Sequence, residues 1–286
     1  MYKKIVVGTD LSETAETAVE HAASLAEKLG AELTLLYAGN DPGESLNQLG
    51  ERFGAATSAV PGPPADVLVD ESERLGADLL VVGSVGMSGA KRFALGNVPN
   101  KVSHHSPTDL LIVKTDRPSA GSIRYEKILV GTDGSPTAMR AVEMSCELAK
   151  SLGASALIVT VYEPPSEHEL KQLRSGSSDA IGAWNQTREQ RQTPAGFQWR
   201  LASAAQAEDV LERAADRVAE KGLDAEVRAV EGSPVDCMLQ IARDDAFDVI
   251  AVGSVGMSGS KRFMLGNVPH RLSHNSPTDI LILHTA

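Results

Sequence analysis

One chain carries the same long pattern twice, and this narrows the possible folds more than any other feature. KIVVGTDLSETAETAVEHAASLAEKLGAELTLLYA, from Lys4, returns from Lys127 as KILVGTDGSPTAMRAVEMSCELAKSLGASALIVTVYE. GSVGMSGAKRFALGN, from Gly83, returns from Gly253 as GSVGMSGSKRFMLGN. Between Gly83 and Val113, 23 of 31 residues are identical to those between Gly253 and Leu283. Such self-similarity means two copies of one folding unit. The first pair is offset by 123 positions and the second by 170, so 170 − 123 = 47 extra residues enter the middle of copy two. The predicted domains are 1–116 and 125–286, joined by the polar DRPSAGSIRYE stretch. At 286 residues in total, each can bury its own core.

Each copy reads as alternating strand and helix. KIVVGT is a short apolar run suited to a strand buried on both faces. Ala18, Ala22, Leu25 and Leu29 then recur at helical spacing, and Gly30 ends that helix. ELTLLYA, ADLLVVG and DLLIV supply the second, fourth and fifth strands. A third is expected before VPGPP in copy one and at DAEVRAV in copy two. The alternation predicts an α/β fold: two tandem doubly wound, Rossmann-like domains, each a five-stranded parallel sheet of order 3-2-1-4-5. Copy two is expected to have a helix over about Ala204 to Lys221 that copy one lacks. A polar insertion at about 164–202, holding Trp184 and Trp199, reads as a loop, a lid or a docking segment.

The repeated glycines lie where a strand gives way to a helix. Gly83, Gly86 and Gly96 keep the spacing Gly-x2-Gly-x9-Gly, as do Gly253, Gly256 and Gly266. Asn97 and Asn267 follow, each set to cap the next helix. Pro99 and Pro269 fall at its second position on that count. Such a junction presents free main-chain N–H groups and the positive end of a helix dipole, which suits a phosphate. Glycine serves it through φ > 0 and through close approach of an oxygen. The segment is neither a Walker A loop nor GxGxxG. GTD ends the first strand in both copies, at Asp10 and Asp133. Ser12 and Ser135, the latter before Pro136, are the predicted helix caps, which leaves each aspartate at the carboxyl edge of the sheet. Ligands of doubly wound sheets bind at that edge, where strand order reverses. A carboxylate for hydroxyls or an amino group, beside a glycine loop for phosphates, describes a nucleotide.

GTDxS followed by this glycine spacing resembles the ATP-binding branch of the universal stress protein family, over nearly the whole chain as a tandem pair. The resemblance implies that Thr9, Asp10, Thr132 and Asp133 lie at the adenosine end, with Ala38 and Val161 against the adenine. It implies that Gly83, Gly86, Gly96, Asn97 and Val98 wrap one set of phosphates, and Gly253, Gly256, Gly266, Asn267 and Val268 the other. Arg92, Leu95, Arg262 and Leu265 also match the family's loop. ATP with Mg²⁺ is the implied ligand, and cyclic AMP the alternative suggested by likeness to actinobacterial members. The family usually has Ser or Thr in place of Asn97 and Asn267. DLLIV and DILIL are expected to pair within the chain, with a further homodimer open.

No catalytic set and no metal-ligand set stands out. Lys91 and Arg92 could reach a γ-phosphate, which keeps slow ATP hydrolysis or nucleotidyl transfer as an alternative, beside a scaffold that has lost its ligand. His104, His105 and His274 read as surface residues. A net charge of −11 speaks against a nucleic-acid partner. Cys146 and Cys237 form no CxxC pair and read as reduced, buried thiols. MYKKIVVGTDLS lacks a signal-peptide layout, and no run of ~20 apolar residues is present, so a cytoplasmic protein without a membrane span is expected. A regulator of stress or dormancy acting on an unknown protein partner is the leading expectation.

Overall fold

The computed structural model describes residues 1–85, 95–115, 125–163, 195–254 (main chain only for 195–202) and 265–284. The first copy runs β1 (Lys4–Thr9), α1 (Glu13–Leu29), β2 (Glu32–Ala38), α2 (Ser45–Phe53), β3 (Ala56–Val60), α3 (Pro64–Leu75), β4 (Leu79–Gly83), α4 (Asn97–His105) and β5 (Asp109–Val113). The second runs β6 (Lys127–Gly131), α5 (Pro136–Leu152), β7 (Ser155–Tyr162), α6 (Ala195–Glu220), β8 (Glu226–Glu231), α7 (Pro234–Asp244), β9 (Val249–Gly253), α8 (Asn267–Asn275) and β10 (Asp279–Leu283).

All ten strands form one sheet of order β3-β2-β1-β4-β5-β10-β9-β6-β7-β8. Each half has the predicted order 3-2-1-4-5, and within each half every pairing is parallel. Among the described residues the sheet's two halves meet through one antiparallel pair, β5 against β10, with Leu111 opposite Leu281. DLLIV and DILIL are buried along their whole length. Their pairing removes two hydrophobic edges that would otherwise attract other strands.

Strand alternation divides the core in two. Ile5, Val7, Leu79, Val81 and Leu111 point to one face, covered by α1, α2, α5 and α6. Val6, Leu80, Leu110 and Ile112 point to the other, under α3, α4, α7 and α8. Burying one leucine fully contributes roughly 2 kcal/mol, so these two layers provide most of the driving force.

Two expectations about the outer layer change. Copy one does have a helix between its second and third strands, the nine-residue α2. Gly50 in its middle lowers the helical signal, yet a Cβ there would run into the Thr57 side chain of β3 and lie 3.0 Å from Ala55 O. The gain is close approach to β3. The corresponding α6 of copy two is 26 residues long and begins at Ala195, inside the stretch read as insertion. Residues 164–194, with Trp184, lie outside the described residues.

The seam is held by a matched pair of aspartates. Asp109 accepts from Tyr2 OH (2.8 Å) and from the His284 amide (2.7 Å). Asp279 accepts from Tyr125 OH (2.6 Å) and from the Lys114 amide (2.8 Å). Each therefore stands at the start of one strand and caps the end of the other. The symmetry breaks at His21, whose Nδ1 lies 3.0 Å from Asp279, whereas its counterpart in copy two is Met144. Burial pushes the Asp109 carboxyl up to about 6, against the lowering effect of its two donors.

Candidate nucleotide site

The first crossover of each copy is built by short-range hydrogen bonds. Ser12 Oγ accepts from the Ala15 amide and Ser135 Oγ from the Ala138 amide, both at 3.2 Å, so both serines cap as predicted. One residue earlier the copies diverge. Leu11 has φ 64° and Gly134, its counterpart, φ 76°. A Cβ on Gly134 would lie 2.7 Å from Val210 Cγ2 of α6. Copy one has only the short α2 in the corresponding place, and Leu11 is accommodated there, packed against the core. A left-handed leucine costs about 1 kcal/mol.

Thr9 and Thr132 are buried, and each hydroxyl accepts from the amide two residues on, Leu11 (3.1 Å) and Gly134 (3.2 Å). Asp10 Oδ1 accepts from the Ser12 amide (3.1 Å) and Asp133 Oδ1 from the Ser135 amide (3.0 Å). Neither aspartate caps its helix. Each closes the turn ahead of the cap and is held at the carboxyl end of the sheet.

The glycine junction differs from the sequence reading in three ways. First, Gly96 (φ −67°) and Gly266 (φ −61°) are the residues that cap α4 and α8, and Asn97 and Asn267 occupy the first helical position. Pro99 and Pro269 thereby move to the third position. Second, Gly83 and Gly253 end extended strands, and none of these four glycines needs a positive φ. What they supply is room: a Cβ on Gly83 would lie 3.1 Å from Thr115, and one on Gly96 3.3 Å from Ser84 O. Third, the Gly96 and Gly266 amides already donate to Ser84 O and Ser254 O, each at 2.8 Å. These bonds pin the two ends of the glycine loop together. In the first helical turn Asn100 and His270 are the first amides to bond back, to Gly96 O and Gly266 O. Asn97, Val98, Asn267 and Val268 therefore carry the outward N–H groups of the helix ends, and proline has none to add. Ser84 and Ser254, both buried, anchor the loop through bonds to Val113 O and Leu283 O. Their place after a strand glycine was the signal the sequence reading passed over. Gly86, Lys91, Arg92, Gly256 and Arg262 lie outside the described residues.

In copy two these parts surround one cleft of about 230 Å³. Thr132 and Asp133 of the first crossover and Gly253, Gly266, Asn267 and Val268 of the glycine junction all line it. Val159, Val161, Pro234 and Met238 form an apolar wall. Met238 packs so tightly on Gly131 that a Cβ there would meet its sulfur at 2.7 Å. Val161, near the end of β7, belongs to the same lining. In copy one, Ala38 is the matching residue at the end of β2, and Leu68 replaces Met238 over Gly8. Leu95 and Leu265 pack into the core.

A model of the universal stress protein family matches residues 1–52, 50–114 and 124–284. The chain belongs to the universal stress protein family. Among curated relatives, universal stress protein Rv1636 of Mycobacterium tuberculosis is 31% identical over 162 residues, 56% of this chain and 97% of that protein. YxiE of Bacillus subtilis is 29% identical over 174 residues, again 56% of this chain and 99% of its own. Both relatives are about one repeat long. A universal stress protein from Archaeoglobus fulgidus has the same fold at a TM-score of 0.65, with 19% identity, covering 99% of this chain and 98% of its own. A putative universal stress protein from Pseudomonas aeruginosa gives 0.66 at 17% identity, covering 99% and 93%. The tandem arrangement of this stress protein is therefore shared with solved structures along its whole length. No described helix is long and apolar enough to cross a membrane.

Proposed function

We propose that this universal stress protein binds ATP and acts as a nucleotide-dependent regulator of a stress or dormancy response, with site occupancy as its signal. The observation that carries this reading is the copy-two cleft. Asp133, Asn267 and Val268 line one cleft together with the apolar Val159, Val161, Pro234 and Met238.

The division of labour follows from the chemistry. Val161, Pro234 and Met238 offer an apolar surface to a purine. Asp133 accepts from ribose hydroxyls. The first turn of α8 receives the phosphates through its amides and dipole. Asn267 can add a side-chain donor where the family usually has a hydroxyl. Gly266 contributes by its missing side chain, since its own amide is occupied. Copy one repeats this scheme with Asp10, Ala38, Asn97 and Val98. Mg²⁺ suits the site only as part of the ligand. Among the described residues no three His, Cys, Asp or Glu side chains are grouped to hold an ion, and Mg²⁺ commonly binds through phosphate oxygens and water.

The deciding experiment denatures purified protein and chromatographs the supernatant, then titrates refolded or ligand-free protein with Mg-ATP by calorimetry. Recovered adenine nucleotide and saturable binding are expected, with cyclic AMP tested as competitor. No recovered nucleotide together with no heat of binding rejects the reading.

A further inference from the structure

Three imidazoles from the two copies meet at the seam. His270 and His274, one turn apart on α8, have ring centroids 4.7 Å apart. His104 of α4 is 5.4 Å from His270, and His105 follows at 6.5 Å from His104. His274 Nε2 lies 3.2 Å from Asn100 Oδ1, so the two helices also touch by a polar contact. Asn100 is the copy-one counterpart of His270, and His104 that of His274. The clustering of three rings thus depends on one substitution between the repeats.

A cation stands beside His274, while the helices packed on α4 and α8 carry charges of both signs: Asp66, Asp70, Glu71, Glu73 and Arg74 on α3, and Asp236, Arg243 and Asp244 on α7. Lys114 Nζ donates to Ser273 O (2.9 Å), which places an ammonium behind His274. Lys101 and Arg271 belong to the same two helices. Burial, then His270 and His105, lower the pKa of His104. Burial, then His270, Lys114 and His104, lower that of His274. No carboxylate figures among these influences. Both rings are therefore held neutral at pH 7. Their folded pKa values lie below the unfolded one, so the stability they contribute is complete at neutral pH and is lost as pH falls through about 6.5.

We propose that the seam between α4 and α8 is a proton-sensitive coupling between the two candidate ligand sites. Protonating His104 and His274, which pack against His270 with the Lys114 ammonium close by, places like charges within one cluster and drives α4 and α8 apart. Those same nine-residue helices carry Asn97–Val98 and Asn267–Val268 at their first turns, roughly 4.5 Å along the axis from His270 and roughly 10 Å from His104 and His274 at about 1.5 Å per residue. Displacing the helices lowers anion affinity at both ends. This rests on the nucleotide reading above, and its test separates the two.

In the full chain, histidine ring signals followed by NMR give each midpoint without any ligand. His270→Gln should raise the midpoints of His104 and His274 together, because one shared neighbour is removed. Unchanged midpoints overturn the cluster. Mg-ATP affinity is then compared at pH 7.5 and 5.5 for the wild type and for the combined His104→Gln, His270→Gln, His274→Gln variant. The ratio cancels the titration of the nucleotide itself. An acid loss about fivefold larger in the wild type is expected, the lower end of usual couplings. Equal losses overturn the coupling. No binding by either protein at pH 7.5 sinks the nucleotide reading and the coupling with it, while the midpoints still report whether the seam senses protons.

Discussion

Replacing Asp109 by asparagine should remove a specific part of the pH dependence of stability. The carboxyl is buried at the seam, and its folded pKa of about 6 exceeds the ordinary 3.8. A raised folded pKa means that the unfolded chain loses its proton first. Stability therefore falls as pH rises through 3.8 to 6 and levels off above. A displacement of about 2 units at 1.36 kcal/mol each makes the full effect on the order of 3 kcal/mol. Asparagine keeps the shape: its oxygen accepts from the His284 amide and its NH₂ donates to the Tyr2 hydroxyl. Urea unfolding of wild type and Asp109→Asn, at half-unit steps from pH 4 to pH 8, isolates the term as a difference. The variant should gain on the wild type steadily up to about pH 6, then hold a constant lead. A flat difference, or a lead that shrinks with rising pH, would refute the argument that burial dominates over the two donors.

Gly134→Ala should destabilise by roughly 2–4 kcal/mol, about 1 from its left-handed backbone and the rest from contact with Val210; Gly134→Ala combined with Val210→Ala should recover only the second part in the same unfolding assay. Gly266→Ala should cost under about 1 kcal/mol, since φ is −61° and the new methyl sits 3.4 Å from Ser254 O; calorimetry should nonetheless show weaker ATP binding, because that methyl crowds the approach to Asn267 and Val268. Cys146 is buried and its thiol is pushed up to about 11, so a thiol reagent at pH 8 should label Cys237 first, and Cys146→Ala should leave the fast phase unchanged.

The alternation of strand and helix was legible because the repeat shows it twice. The pairing of DLLIV with DILIL came from the family resemblance, and burial of both runs along their whole length is its physical reason. Local geometry was harder to read. Asn97 has the composition of a helix cap, yet Gly96 takes that position because its amide must reach Ser84 O, a tertiary contact invisible in the local sequence. Positive φ was expected at glycines whose purpose is clearance, and it occurs instead at Leu11, where composition gives no warning. The helix α2 was hidden by Gly50 and by Glu44, whose side chain makes no capping bond. Cys237 was expected to be buried and is only partly so. The histidine cluster required three-dimensional placement, since His270 and His104 are 166 residues apart (270 − 104).

The antiparallel join of β5 and β10 has a further outcome. Because both halves are tethered in one polypeptide, dilution cannot separate them, and each always meets the same unlike neighbour. A self-associating single-repeat relative would have to keep both sides of its contact identical. Here a change on one side, such as His21 where copy two has Met144, is inherited without its mirror image, so the halves are free to specialise.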